Sequence, residues 1–225
     1  MPPLVHLGRP RSIRRVQIVI PIFDRVTALD AIGPYEVLCR LPDAEVVLAA
    51  AEPGPKATEP GSLTLTAERA LSDVGRPQIV VVPGGFGTRR LMHDEPTLDW
   101  LRAAHETSDW TTSVCTGALL LGAAGILRGL RATTHWRSLE MLRELGAEPT
   151  AERVVEQGKV ITAAGVSAGI DMALRLAAHV AGPDVAQSIQ LSIEYDPQPP
   201  FDAGSPEKAP PEIVARLRGV SVEHI

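Results

Sequence analysis

At 225 residues, with 44% hydrophobic and 22% charged side chains, the chain is long enough for one α/β domain with a sizeable core. A formal net charge of −5, no long basic run and an aromatic content of 4% argue against a nucleic-acid surface or base-stacking platform. No apolar run approaches membrane-spanning length. The two cysteines, Cys39 and Cys115, stand in unrelated contexts without CxxC or HExxH spacing, which suggests a reducing cytoplasm and neither a disulfide framework nor a metal site.

Residues 1–15 carry Arg9, Arg11, Arg14 and Arg15 and read as a flexible basic extension ahead of a single domain over 16–225. Val16–Ile22 is a near-continuous apolar run, as expected of a parallel strand buried on both faces. A helix follows from Thr27 towards Leu41, with Gly33-Pro34 predicting that its regular part starts near Pro34. Cys39, on that helix, reads as a packing cysteine. Glu45–Ala50 is a second strand, Ala51–Pro60 a proline-rich loop, and Ser62–Thr66 an edge strand or hairpin arm.

Gln78–Val82 is the clearest buried strand and runs into Pro83-Gly84-Gly85-Phe86-Gly87. Glycines there let backbone amides approach a ligand, although the segment matches neither GxGxxG nor a Walker loop. Leu91–Thr107 has helical spacing, and a helix from Ser138 to Leu145 closes at Gly146. Arg153–Val155 and Lys159–Ala163 read as a hairpin. Two helices divided at Gly182-Pro183 precede a wrap over Tyr195–Pro211 that holds six prolines. Asp171 reads as a capping carboxylate, and His93, His105 and His179 as residues without partners. Alternating strands and helices imply a mostly parallel sheet covered on both faces, with sites beyond the carboxyl ends of its strands.

Thr111-Thr112-Ser113-Val114 runs into Cys115 and then directly into the helical pattern Gly117–Gly122. A strand that turns into a helix at a thiol has the form of a nucleophile elbow, and a helix N-terminus favours thiolate. A buried structural cysteine is the alternative.

This order of features resembles the DJ-1/PfpI superfamily, a branch of the class I glutamine-amidotransferase-like fold. The resemblance rests on strand-Pro83-Gly84-Gly85, the strand ending in Cys115-Thr116-Gly117, and Ala132-Thr133-Thr134-His135-Trp136, with His135 twenty positions after Cys115. Leu29-Asp30-Ala31-Ile32-Gly33-Pro34-Tyr35-Glu36 and the segment Pro199–Pro206 bring it nearer to one subgroup, the isonitrile hydratases. The resemblance implies a flavodoxin-like, mostly parallel sheet sandwiched by helices. It also implies a cofactor-free enzyme that adds water to an isonitrile to give the N-substituted formamide.

Cys115 would then be the nucleophile forming a thioimidate, with Asp30 as general acid/base and Thr116 placing a hydroxyl and an N–H beside the sulfur. Gly84 and Gly85 would offer oxyanion-binding amides. Asp30 as a helix cap and Thr116 as a mere first helical residue are the structural alternatives. His135 divides evenly between polarising the thiol and packing beneath the elbow. The implied partners are a small-molecule isonitrile and a second copy of the chain, with the Tyr35 region near the dimer contact. A ligand-sensing regulatory domain and a glyoxalase or stress-response enzyme of the same superfamily are the competing functions.

Overall fold

The computed structural model describes residues 15–59 and 61–219, so nearly all of the expected N-terminal extension lies outside the described residues. The chain begins β1 (Val16–Pro21), α1 (Ala28–Leu38), β2 (Ala44–Ala50), β3 (Gly54–Ala57), β4 (Thr64–Ala67), β5 (Arg69–Ala70) and β6 (Ile79–Val82). It continues with α2 (Thr88–Leu91), α3 (Glu95–Thr107), β7 (Trp110–Val114), α4 (Gly117–Ala123), β8 (Arg131–Ala132), α5 (Leu139–Glu144) and β9 (Glu148–Pro149). The last elements are β10 (Val154–Gln157), β11 (Val160–Ala163), α6 (Ala168–Ala181), α7 (Pro183–Ser192) and α8 (Pro211–Gly219).

Seven strands form one sheet in the order β10-β11-β7-β6-β1-β2-β5. Every neighbouring pair is parallel except the β10–β11 hairpin. Alternation along the central strands divides the core between the two faces. Ile18, Ile20, Ile79 and Val81 pack with residues of α1, α6 and α7, whereas Val80 and Val82 pack with α3, α4 and α5. The flavodoxin-like architecture expected from the sequence is the one observed.

Several boundaries differ for identifiable reasons. The first helix begins at Ala28 and runs through Pro34, which stands inside it. Proline removes one intrahelical donor there, but the Gly33-Pro34 pair lets α1 pack closely on α6. A Cβ on Gly33 would stand 3.1 Å from Ile170, and one on Gly169 would stand 3.3 Å from Pro34. The expected loop at 51–60 contains β3, paired antiparallel with β4 as a two-stranded ribbon. Pro55 is tolerated because an edge strand has N–H groups with no ladder partner.

The helical spacing over 91–107 is split into α2 and α3, and Asp94 caps the second through Thr97 N at 3.2 Å. Cys39 is exposed just beyond α1 rather than packed: it follows the exposed Tyr35 and Glu36 by one helical turn, while Val37 and Leu38 are the residues that turn into the core. His105 and His179 do have partners: Thr111 Oγ1 at 2.8 Å and Glu156 at 3.0 Å. Asp171 engages Arg153 and accepts from the Tyr195 hydroxyl at 3.2 Å, which ties the start of the proline-rich wrap to α6.

Candidate active site

The carboxyl ends of three adjacent strands, β1, β6 and β7, lead into Asp30, Gly84 and Cys115 respectively. Cys115 has φ +53°, a left-handed conformation that a non-glycine residue holds only when its surroundings enforce it. Those restraints are visible on both sides of the peptide. Cys115 N donates to Ala163 O at 3.0 Å and Ala164 O at 2.8 Å, and Cys115 O accepts the Thr134 hydroxyl at 2.8 Å. Gly117 allows the tight exit from the elbow, since a Cβ there would stand 2.0 Å from Val82 O.

Asp30 is fully buried in the first turn of α1, and its side chain turns away from its own helix. Oδ2 accepts the Gly84 N–H at 2.9 Å, while Oδ1 has no N–H or O–H donor among the described residues. The Cys115 thiol is the side chain that interacts with this carboxyl. Burial, only partly offset by the Gly84 N–H and the thiol, raises the Asp30 pKa to about 7. The thiol is itself pushed well above its ordinary value, first by burial and then by the charge of Asp30. The Thr116 N–H and the Arg89 charge act in the opposite sense. The site therefore departs from the expected thiolate, because desolvation outweighs the helix N-terminus.

Thr116 turns its hydroxyl away from α4 and towards the glycine turn. Its Oγ1 accepts the Gly85 N–H at 2.9 Å and donates to Gly85 O at 3.2 Å. Thus the N–H groups of Gly84 and Gly85 are directed to Asp30 and Thr116 within the protein, where the sequence suggested amides open to a ligand. Gly84 leaves no room for a side chain, as a Cβ would stand 2.5 Å from Thr116 N and 2.8 Å from Asp30 Oδ2.

His135 is half-buried, and its Nδ1 accepts the Arg137 N–H at 3.4 Å. Its ring tilts against Trp136 at 5.8 Å between centroids. Burial, followed by the charges of Arg137 and Arg89, lowers its pKa to about 4, so the imidazole is neutral at physiological pH. Thr134, Arg89 and Arg137 belong to this neighbourhood but carried no signal in the sequence beyond adjacency to the glycine turn and the Thr-Thr-His-Trp segment. Among the described residues no group of three or more His, Cys, Asp and Glu side chains is placed to hold a metal ion. A cavity of about 330 Å³ beside α3, lined by Phe23, Leu91, Leu101 and Leu120 among others, is lined by none of Asp30, Gly84, Gly85, Cys115, Thr116 and His135.

The sequence profile of the DJ-1/PfpI family matches residues 16–179. Isonitrile hydratase of Pseudomonas putida is 46% identical over 203 residues, covering 90% of this chain and 89% of that protein. The HTH-type transcriptional regulator CdhR of Pseudomonas aeruginosa is 29% identical over 184 residues, 79% of this chain and 53% of the regulator, so the chain spans about half of its length. Among solved structures, a ThiJ/PfpI family protein from Pseudomonas syringae superposes with a TM-score of 0.88 at 34% identity, covering 91% of this chain and 85% of that one. Drosophila melanogaster DJ-1beta shares the fold, with a TM-score of 0.73 at 19% identity over 81% of this chain and all of its own.

Proposed function

The chain belongs to the DJ-1/PfpI family, and on that footing we propose that it is an isonitrile hydratase that works through a covalent thioimidate on Cys115. The observation that carries the mechanism is a thiol and a carboxyl buried together, with the carboxyl titrating near neutrality. Similarity to isonitrile hydratase over most of both chains supports the choice of substrate.

An isonitrile has an electrophilic terminal carbon that also accepts a proton. Asp30, as carboxylate, takes the thiol proton while sulfur attacks that carbon, and returns the proton to the same carbon. The product is the thioimidate, sulfur–CH=N–R. Asp30 then takes a proton from water as the oxygen adds to the carbon, and delivers it to nitrogen. Expulsion of sulfur leaves the formamide, R–NH–CHO, and the proton on the new oxygen returns to the thiolate. The sum is one isonitrile and one water consumed, with the thiol regenerated.

A carboxyl that titrates near pH 7 suits both halves of this shuttle. Thr116 supports the developing thiolate through its N–H. Gly84 and Gly85 contribute by holding Asp30 Oδ2 and the Thr116 hydroxyl in register. A neutral His135, hydrogen-bonded to Arg137, fits a role in packing the segment after the elbow. We also propose that the protein needs no metal or organic cofactor and acts as a cytoplasmic homodimer.

The deciding experiment is mass spectrometry of cyclohexyl isocyanide incubated with wild type and with Cys115→Ala. Formamide from wild type alone, heavier than substrate by one water, is expected. Retained hydration by the variant overturns the covalent mechanism. No product from either overturns the hydratase reading, and turnover of methylglyoxal would then point to a glyoxalase.

A further inference from the structure

The glycine turn after β6 presents three successive N–H groups, and a side chain from a different part of the chain accepts each of them. Gly84 donates to Asp30 Oδ2 and Gly85 to Thr116 Oγ1, both at 2.9 Å, and Phe86 donates to Glu59 Oε2 at 2.8 Å. The first two acceptors belong to the site already described. Glu59 does not. It follows the ribbon strand β3, 27 residues before Phe86, in a stretch that the sequence marks only as a proline-rich loop.

Glu59 and Arg25 hold Phe86 between them. The second carboxylate oxygen of Glu59 lies 3.9 Å from the Arg25 guanidinium, whose carbon stands 3.9 Å from the centre of the Phe86 ring. A cation over an aromatic face is attracted by the ring quadrupole. The backbone around this triangle is tied as well. Glu59 N donates to Val26 O at 2.9 Å, Gly87 N to Arg25 O at 3.2 Å and Thr27 N to Gly84 O at 2.9 Å. The contact is tight enough that a Cβ on Gly85 would stand 2.3 Å from Arg25 O. Peptide units are planar and share their Cα atoms, so in a turn this short what fixes the Phe86 N–H also restrains the two N–H groups before it. The Glu59 side chain is only 25% exposed, and a carboxylate bond to an N–H is of the strong, charge-assisted kind.

We propose that Glu59 is a positioning residue for the site: through the Phe86 N–H it holds the glycine turn so that Gly84 and Gly85 meet Asp30 and Thr116 in register. Its service to chemistry at Cys115 rests on the hydratase reading; its hold on the Asp30 carboxyl does not. A residue that merely fastened the ribbon to the sheet would affect stability and leave the titration of Asp30 where it is.

The Gly84 N–H favours the ionised form of Asp30, so a slackened turn raises the pH at which that carboxyl ionises. In protein labelled with 13C at the aspartate carboxyls, the Asp30 resonance, assigned by its loss in Asp30→Asn, is followed by NMR across pH. Wild type, Glu59→Ala and Glu59→Gln are compared. The alanine variant removes the acceptor, whereas the glutamine variant keeps an oxygen for the Phe86 N–H and drops the charge. Asp30 should ionise about half to one pH unit higher in Glu59→Ala, the worth of one weakened hydrogen bond, and as in wild type in Glu59→Gln. With cyclohexyl isocyanide, kcat should fall about ten- to hundredfold in Glu59→Ala with KM little changed, and recover in Glu59→Gln.

An Asp30 titration unmoved in Glu59→Ala overturns the proposal. So does a Glu59→Gln variant that behaves like Glu59→Ala, since the ion pair with Arg25 would then be what matters. If Glu59→Ala does not fold, Glu59→Asp, whose carboxylate is one methylene short of the Phe86 N–H, takes its place and is read the same way. If wild type hydrates no isonitrile yet the Asp30 titration rises as expected, the hydratase reading fails and the positioning role stands. Hydration by wild type with an Asp30 indifferent to Glu59 has the opposite meaning.

Discussion

A carboxyl removed from water holds its proton to higher pH, and Asp30 carries that effect into both activity and stability. In the unfolded chain it would ionise near 3.8, whereas in the fold it does so at about 7. Between these values the folded state binds the extra proton, so stability falls as pH rises, and the cost is complete above pH 7. Asp30→Asn lacks this titration. Its stability relative to wild type should therefore grow between pH 4 and 7 by up to about 4 kcal/mol, read from denaturant unfolding at several pH values. A difference that does not change with pH would mean that Asp30 titrates normally. In wild type the acid limb of kcat/KM should have an apparent pKa near 7. Asp30→Asn should lose at least about a hundredfold in rate, the usual scale of a positioned acid/base. Gly84→Ala belongs with it, because its Cβ would displace Asp30 and Thr116 together.

At the scale of elements, the site depends on how closely α1, α6 and β7 approach one another. Gly169 of α6 is the contact point, where a Cβ would stand 3.1 Å from both methyls of Val114 and 3.3 Å from Pro34. Gly169→Val would push the end of β7, which carries Cys115, away from the helix that carries Asp30. Overpacking of this kind costs about 1–3 kcal/mol, a fall in Tm of several degrees for a chain of this size. Calorimetry should show that loss together with reduced turnover. Gly75→Ala, in open space, is the control and should change neither. Much of this level was legible beforehand: the apolar runs of β1 and β6, the Thr111–Val114 run of β7 and the Val114-Cys115-Thr116-Gly117 turn stand in consecutive residues. The hairpin β3–β4 was half legible, since three prolines and a glycine mask a strand that is stabilised by its partner rather than by its own composition.

For the whole molecule, the feature of interest is the outer face of α1. Leu29 is 41% and Tyr35 38% exposed there, and the resemblance placed a dimer contact in this region. A homodimer through this face predicts that light scattering after size exclusion gives twice the chain mass, and that Tyr35→Glu shifts the population to monomer. A wild-type monomer at micromolar concentration would refute that arrangement. No helix among the described residues is long and apolar enough to cross a membrane.

The sequence by itself determined the elements whose signals are local: buried strands, the elbow that follows β7, and the helices with their glycine stops. It also brought Asp30, Gly84 and Cys115 to the ends of parallel strands, because an alternating α/β pattern leaves few other arrangements. Tertiary structure alone decided what those groups do to one another. Asp30 and Gly84 are 54 residues apart in the chain yet share a hydrogen bond. The carboxyl that titrates near neutrality and the raised thiol follow from desolvation and long-range charge. Neither has a sequence period, since both depend on which atoms exclude water from a point in space.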